Sequence, residues 1–288
     1  MLTRLAPVHG LRHPGQLFPT TNIEPVLLLS TYLRNIWNTR YFWVHLSLSD
    51  LRSRWRRSFF GIFWTIIQPL GMTLLLAIVF GKIFKIEIRD YAPYILSGMI
   101  IWEFVTASAT SGSLSFVQAD AYIKQCNHPL AIYTLRTVLT NLIVLGLASI
   151  ALVAWVLVVM PQNFGWSWLA ALTIYPILTL IAWPLATFLA YIATRFRDLP
   201  HALGLLLQAM WFVSPIYFEA KIFRGGDLHA LVDYNPIYHM LEIVRAPLLH
   251  GNWPTPENYA YCGGAIAALM LLAVLLGRKA ERKVIFYL

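Results

Sequence analysis

Charge is scarce in this chain. Of its 288 residues only 12% are Asp, Glu, Lys or Arg, about half the roughly 25% of an ordinary soluble domain. A soluble fold of this size could not cover its surface with so few charges, and 58% of the residues are hydrophobic. The mean hydropathy of +0.62 points the same way. Composition argues for an integral membrane protein and against a disordered chain or an ordinary soluble enzyme. Cysteine is nearly absent: Cys126 and Cys262 are the two residues of that type, too few for a disulfide framework. Residues 1–22 have no apolar core of the sort a signal peptide needs, so none is expected there.

Catalytic signatures are missing as well. No phosphate-cradling G-x-x-x-x-G-K-[ST] loop occurs: Gly81-Lys82 runs into Ile83, and Leu76 stands where the first glycine would be. There is no H-E-x-x-H, C-x-x-C or G-x-S-x-G, and the histidines are scattered without metal-ligand spacing. No catalytic residue, metal site or cofactor of its own is expected. Acidic groups are rarest inside the apolar runs. Glu103 is the only one in a span core, near the outer third of its span. An intramembrane carboxylate is a functional candidate by default. A single water-facing Glu is the plainer alternative, and an ion-coupled transporter usually has several such groups.

What the chain does have is long apolar runs. A spanning helix needs about 20 such residues to cross roughly 30 Å of hydrocarbon. Phe59–Phe80 carries no charge, Tyr91–Ala119 is interrupted only by Glu103, and Thr137–Thr194 contains no Asp, Glu, Lys or Arg. The last is long enough for two spans, divided at Pro161-Gln162-Asn163-Phe164-Gly165. Leu199–Phe218 and Asn258–Gly277 supply two more. The reading is all-α, with six transmembrane helices near 59–81, 92–118, 131–160, 167–194, 200–218 and 258–277. The fifth is the weakest, because Pro200, His201 and Pro215 fall in a barely sufficient length.

The net charge of +9 comes mainly from Lys and Arg that flank these runs, which signals membrane orientation instead of nucleic acid. With the N-terminus inside, 16 of the 22 Lys and Arg fall on inner segments. Both termini are therefore expected in the cytoplasm. The lead narrows to 8 against 6 when the long N-terminal segment is set aside.

Two further stretches read as amphipathic helices. In 33–57, after an N-terminal segment 1–32, the residues Leu33, Ile36, Trp37, Tyr41, Val44, Leu48, Leu51 and Trp55 recur every three to four positions. Arg34, Asn38, His45, Arg52 and Arg56 fill the other face. This is the pattern of a helix lying in the inner interface. It ends in Arg52, Arg54, Arg56 and Arg57, suited to anionic headgroups. A cluster that only fixes topology is the alternative. In the outer segment before the last span, Asn235 caps a helix with Pro236 at its first turn, and Ile237, Leu241, Val244 and Leu248 form its apolar face.

These residues form a family pattern. Leu51 to Trp64 followed by Gln68-Pro69-Leu70, then Val79 to Phe84, resembles the first span of ABC-2 type transporter permeases, and within them the Wzm-like polysaccharide and O-antigen export subunits. The likeness resumes at Ser97-Gly98 with Trp102, at Ser108 to Ser115, and at Ala121 to Lys124 with Pro129. It continues through Arg195 to Leu199, Gln208 to Pro215 and Asn235 to Tyr238, and Leu241 to Leu249 favours the O-antigen branch. The inner loop departs from the usual paired lysines and aromatic-Pro: here it reads Lys124-Gln125-Cys126-Asn127-His128-Pro129.

The resemblance implies the homodimeric membrane part of an exporter in the bacterial inner membrane. Two copies of a separate ABC ATPase would hydrolyse Mg-ATP beneath it, and the cargo would be a polyprenyl-diphosphate-linked glycan moved from cytoplasm to periplasm. It implies contact with the ATPase at Tyr122, Ile123, Lys124 and Pro129, and at Arg197 and Asp198. The residues themselves add two readings. Arg52, Arg54, Arg56 and Arg57 lie where a lipid diphosphate would approach, and Arg binds phosphate oxygens bidentately. Trp64, Gln68, Trp102, Phe104, Trp211 and Phe212 are candidates for the pathway, because aromatic rings stack on the C–H faces of sugars. Interfacial aromatic belts are the alternative for these rings. Pro69 is expected to kink span one, and the small residues Ser108, Ser111, Gly112, Ser113 and Ser115 to favour close packing over a wet pathway. Other cargoes (capsular glycan, teichoic acid, a drug), a secondary transporter and a membrane-embedded transferase are the alternatives to this reading.

Overall fold

The computed structural model describes residues 25–56, 58–126, 128–220, 229–281 and 284–288. Every regular element among them is helical: α1 Pro25–Asn38, α2 Arg40–Trp55, α3 Trp64–Phe84, α4 Ile88–Ser113, α5 Ser115–Gln118, α6 Asp120–Gln125 and α7 Ala131–Val159. They continue with α8 Trp168–Ala171, α9 Ile174–Arg195, α10 Leu199–Val213, α11 His229–Asp233, α12 Pro236–His250, α13 Pro256–Ala280 and α14 Val284–Tyr287, plus two 3-10 turns.

Five helical stretches are long and apolar enough to cross a membrane: Gly61–Phe84, Ile88–Ser113, Ala131–Val159, Trp168–Arg195 and Pro256–Ala280. They match the expected spans to within a few residues. Helix α4 is the hub, 78% buried over its apolar window, against 17% for the first span and 11% for the last. It packs on α3, α7, α9, α10 and α12, and the poorly buried helices present their apolar sides outward, as lipid-facing helices do. The small-residue stripe of α4 serves packing. A Cβ on Gly112 would fall 2.5 Å from the Ala186 Cβ of α9, so only glycine permits this approach. Ser108 and Ser111 each accept a hydrogen bond from Asn141 Nδ2 at 3.3 Å. Pro69 lies inside α3, which runs through it as one helix.

The fifth span is shorter than expected. Helix α10 has 15 residues, about 22 Å at 1.5 Å per residue. It stops because Pro215 has no N–H to donate and disfavours helical backbone in the residue before it; Ser214 is extended, with φ −87° and ψ 138°. The chain continues without helix from Ser214 to Phe218, where Tyr217 O accepts from Tyr91 Oη of the first turn of α4.

The expected interface helix is two helices, broken at Thr39, and it begins at Pro25 instead of Leu33. Its apolar stripe divides between two environments. Ile36 and Leu51 are buried against the bundle, whereas Leu33, Trp37, Tyr41 and Leu48 are exposed. Periodicity marks which side is apolar and is silent on whether protein or lipid covers it. Helix α2 is fixed to α7 by Ser47 Oγ and Thr140 Oγ1 at 3.0 Å, and by a bidentate Arg136–Asp50 pair at 2.6 and 3.0 Å. Helix α1 meets the segment that follows α13 at one end of the bundle. Tyr32 Oη donates to Glu281 Oε1 at 3.2 Å and accepts from the Ala131 N–H. Burial pushes the Glu281 carboxyl up from its ordinary range, with the Tyr32 and Leu130 hydrogen bonds pulling it down.

Helix α12 is capped as expected: the Asn235 side chain accepts from the Ile237 N–H at 2.9 Å, and Gly251 ends it in the left-handed region. It is not a surface helix with one wet face. Ile237, Leu241, Val244 and Leu248 are buried, and so are His239 and Arg245 on its other sides. Arg245, counted among the outer-loop charges, is completely enclosed.

Candidate functional site

A cleft of about 390 Å³ lies between α3, α4 and α7, closed at one end by the end of α2. It brings together residues expected to act separately. Trp64 and Gln68 of α3, Phe104 of α4 and Arg54 of the basic run all line it, with Trp55 and Glu103. Helical geometry accounts for the grouping: Trp64 and Gln68 are four apart on α3 and share a face. Glu103 sits past the midpoint of α4, nearer its Ser113 end, because the helix begins at Ile88.

The other three aromatic candidates do not reach this cleft. Trp102, one position from Glu103 and so about 100° around the helix, is buried and packs edge-on against Trp211 with centroids 5.7 Å apart. Trp211 in turn stacks on Tyr217 at 6.0 Å, and Phe212 is 58% exposed. Of the basic run, Arg52 and Arg56 are exposed and do not line the cleft; Arg57 lies outside the described residues.

The residues expected to meet an ATPase occupy two places. In α6, Tyr122 is exposed, Lys124 pairs with Asp120 at 2.8 Å, and Ile123 is the buried member of this short helix. Pro129 is partly buried just before α7. Arg197 and Asp198 are exposed in the turn between α9 and α10. They form no ion pair with each other; among the described residues the pairs are Lys124–Asp120 and Arg136–Asp50. Phe116 of α5 packs edge-on to Tyr191 of α9 at 5.1 Å, which sets both places at one end of the bundle.

Arg245 was missed as a functional residue. Its guanidinium donates to Pro215 O at 2.7 Å, Ile216 O at 2.9 Å, Tyr94 O at 3.2 Å and Ser97 Oγ at 3.2 Å. It also lies 3.6 Å over the Tyr94 ring. Backbone at membrane depth must find its hydrogen bonds within the protein. Arg245 supplies them to the unwound stretch after α10, with Tyr91 Oη donating to Tyr217 O and Tyr94 Oη to Phe218 O at 2.8 Å. Gly98 makes the room: a Cβ there would fall 2.9 Å from Arg245 Nη2 and from Ile216 O. The signal in the sequence was an arginine flanked by Ile243, Val244, Ala246 and Pro247.

Membrane-crossing helices around an aromatic and polar cleft, with loops grouped at one end, define a membrane permease. The chain belongs to the ABC-2 type transporter family, which matches residues 41–249. Members of that family work with an ABC ATPase subunit, and the chain is a multi-pass membrane protein. It is similar to the O-antigen export system permease protein RfbA of Klebsiella pneumoniae, 24% identical over 219 residues, 76% of this chain and 82% of that one. The protein of the same name from Myxococcus xanthus is 22% identical over 232 residues, 78% and 86% of the two chains. The polysialic acid transport protein KpsM of Escherichia coli is 22% identical over 212 residues, 72% and 80%.

Proposed function

We propose that the chain is the membrane subunit of an exporter that moves a polyprenyl-diphosphate-linked polysaccharide of the O-antigen class from cytoplasm to periplasm. Two copies pair in the inner membrane with both termini cytoplasmic, and two copies of a separate subunit hydrolyse Mg-ATP. The observation that carries this reading is the cleft that unites Arg54 with Trp64, Gln68 and Phe104. An arginine fork matches phosphate oxygens, and aromatic faces let a sugar polymer slide without holding it by charge. The similarity to O-antigen export permeases supports the cargo class. Tyr122, Ile123, Lys124, Pro129, Arg197 and Asp198 sit where a partner beneath the bundle would push. A second reading, an acidic capsular glycan, draws on the similarity to the polysialic acid transport protein.

The test is neutralisation of Arg54, Arg56 and Arg57 together by glutamine, in cells whose own copy of the gene is deleted. Surface polysaccharide is expected to fall about tenfold or more, as when a phosphate loses several charge-assisted contacts. Membrane level and co-purification of the ATPase stay unchanged. Normal surface polysaccharide in that variant contradicts capture of a diphosphate by this run.

A further inference from the structure

The cleft between α3, α4 and α7 contains hydrogen-bonding groups that the protein itself leaves unused. The Glu103 carboxylate lines it and takes no hydrogen bond from a described residue; its backbone carbonyl alone is engaged, by Thr106 Oγ1. The Gln68 side-chain amide lines it as well and makes no hydrogen bond with a described residue. The remaining hydroxyls and the second amide are engaged: Ser58 Oγ accepts from the Gly61 N–H, Thr65, Thr106 and Thr110 donate to carbonyls of their own helical segments, and Asn141 donates to Ser108 and Ser111. A bare donor and a bare acceptor that line one cavity suit a ligand that brings both partners. A sugar hydroxyl does so, donating to the Glu103 carboxylate and accepting from the Gln68 amide. Trp64 and Phe104 add flat apolar faces, and the volume of about 390 Å³ lies within the roughly 300–1,000 Å³ of small-molecule sites.

We infer that this cleft seats one neutral sugar unit of the cargo beside its diphosphate, and that Glu103 excludes acidic sugars from the seat. This rests on the export reading above and narrows its cargo. A hydroxyl bonded to a carboxylate is charge-assisted and stronger than a neutral pair. A sugar carboxylate in the same position sets two like charges together and leaves Glu103 without a donor. Like-charge juxtaposition in a site of reduced dielectric disfavours the acidic sugar by about tenfold or more. Arg54, the cation lining the cleft, is taken by the phosphate and does not compensate.

The experiment uses the full chain in lipid nanodiscs and three probes on one short prenyl diphosphate carrier: bare, bearing glucose, and bearing glucuronic acid. Binding is read from tryptophan fluorescence. The glucosyl probe is expected to bind about tenfold tighter than the glucuronosyl probe. Glu103→Gln, which breaks no internal hydrogen bond, closes that gap to about threefold or less by strengthening the acidic probe, and Glu103→Asp keeps most of it. Equal affinity of the two glycosylated probes for the native chain overturns the inference and leaves the export reading standing. So does a gap that survives Glu103→Gln. Failure of all three probes to bind overturns the export reading with it.

Discussion

Arg245→Met abolishes accumulation of the folded chain in the membrane, or lowers its thermal midpoint in detergent by about 10 °C. The substitution keeps the length of the side chain and removes every donor. Ile216 O, held at 2.9 Å in the native protein, then lies in a buried place without its donor, and Pro215 O, held at 2.7 Å, keeps only the long Tyr94 Oη contact at 3.5 Å. Each orphaned carbonyl costs about 1–3 kcal/mol, and no water is at hand to repair it. Arg245→Lys is milder, because an ammonium retains charge and three donors but lacks the fork that reaches several acceptors at once. A methionine variant with native stability would show that the unwound stretch does not depend on this residue.

Ile123→Asp separates ATP hydrolysis from export. Helix α6 has six residues and one buried side chain, Ile123, which sits in a cluster with Phe116, Leu130 and Tyr133. A lever transmits force only while it is seated. An aspartate cannot remain in that apolar cluster without a partner, so α6 leaves its seat while the six crossings stay as they are. In the reconstituted complex, export per ATP hydrolysed is expected to drop about tenfold or more, the equivalent of 1.4 kcal/mol or more of lost coupling. Lys124→Gln, which removes only the exposed pair with Asp120, leaves the ratio nearly native, as surface pairs contribute little. Loss of complex assembly in the Ile123 variant, with ATPase and export falling together, would assign α6 to docking and not to transmission.

Five of the spans were legible because crossing a bilayer imposes a length and an apolarity that those runs meet outright, whereas Pro215 cuts the helix of the run from Leu199 to 15 residues. Thr137–Thr194 shows it well: a run too long for one span, split at the Pro161 turn, becomes Ala131–Val159 and Trp168–Arg195. The Asn235 cap and Pro236 were legible for the same reason, since both act locally. What escaped were arrangements made by partners distant in sequence. Arg245 was counted as an outer charge because its acceptors lie about 30 and 150 residues away. The helix from 33 was drawn as one because periodicity carries through Thr39, where the backbone does not. Three of the six pathway candidates share a cleft, while Trp102, Trp211 and Phe212 stand elsewhere. Aromatic type alone does not tell a ring that faces a cavity from one that packs on another ring. Glu103 drew notice in the sequence as the lone acid of a span core, and only its place opposite Trp64 and Gln68 in the cleft gives it chemical neighbours.

The most direct measurement reconstitutes the chain with its chromosomal ATPase neighbour in proteoliposomes that hold a prenyl-diphosphate-linked glycan in the leaflet facing the ATPase. Appearance of the glycan on the opposite side is followed by lectin binding. ATP-dependent transfer, abolished when the ATPase subunit is omitted or its ATP site inactivated, agrees with an ABC exporter whose motor is a separate chain. Transfer that proceeds without the ATPase and follows an imposed ion gradient contradicts it.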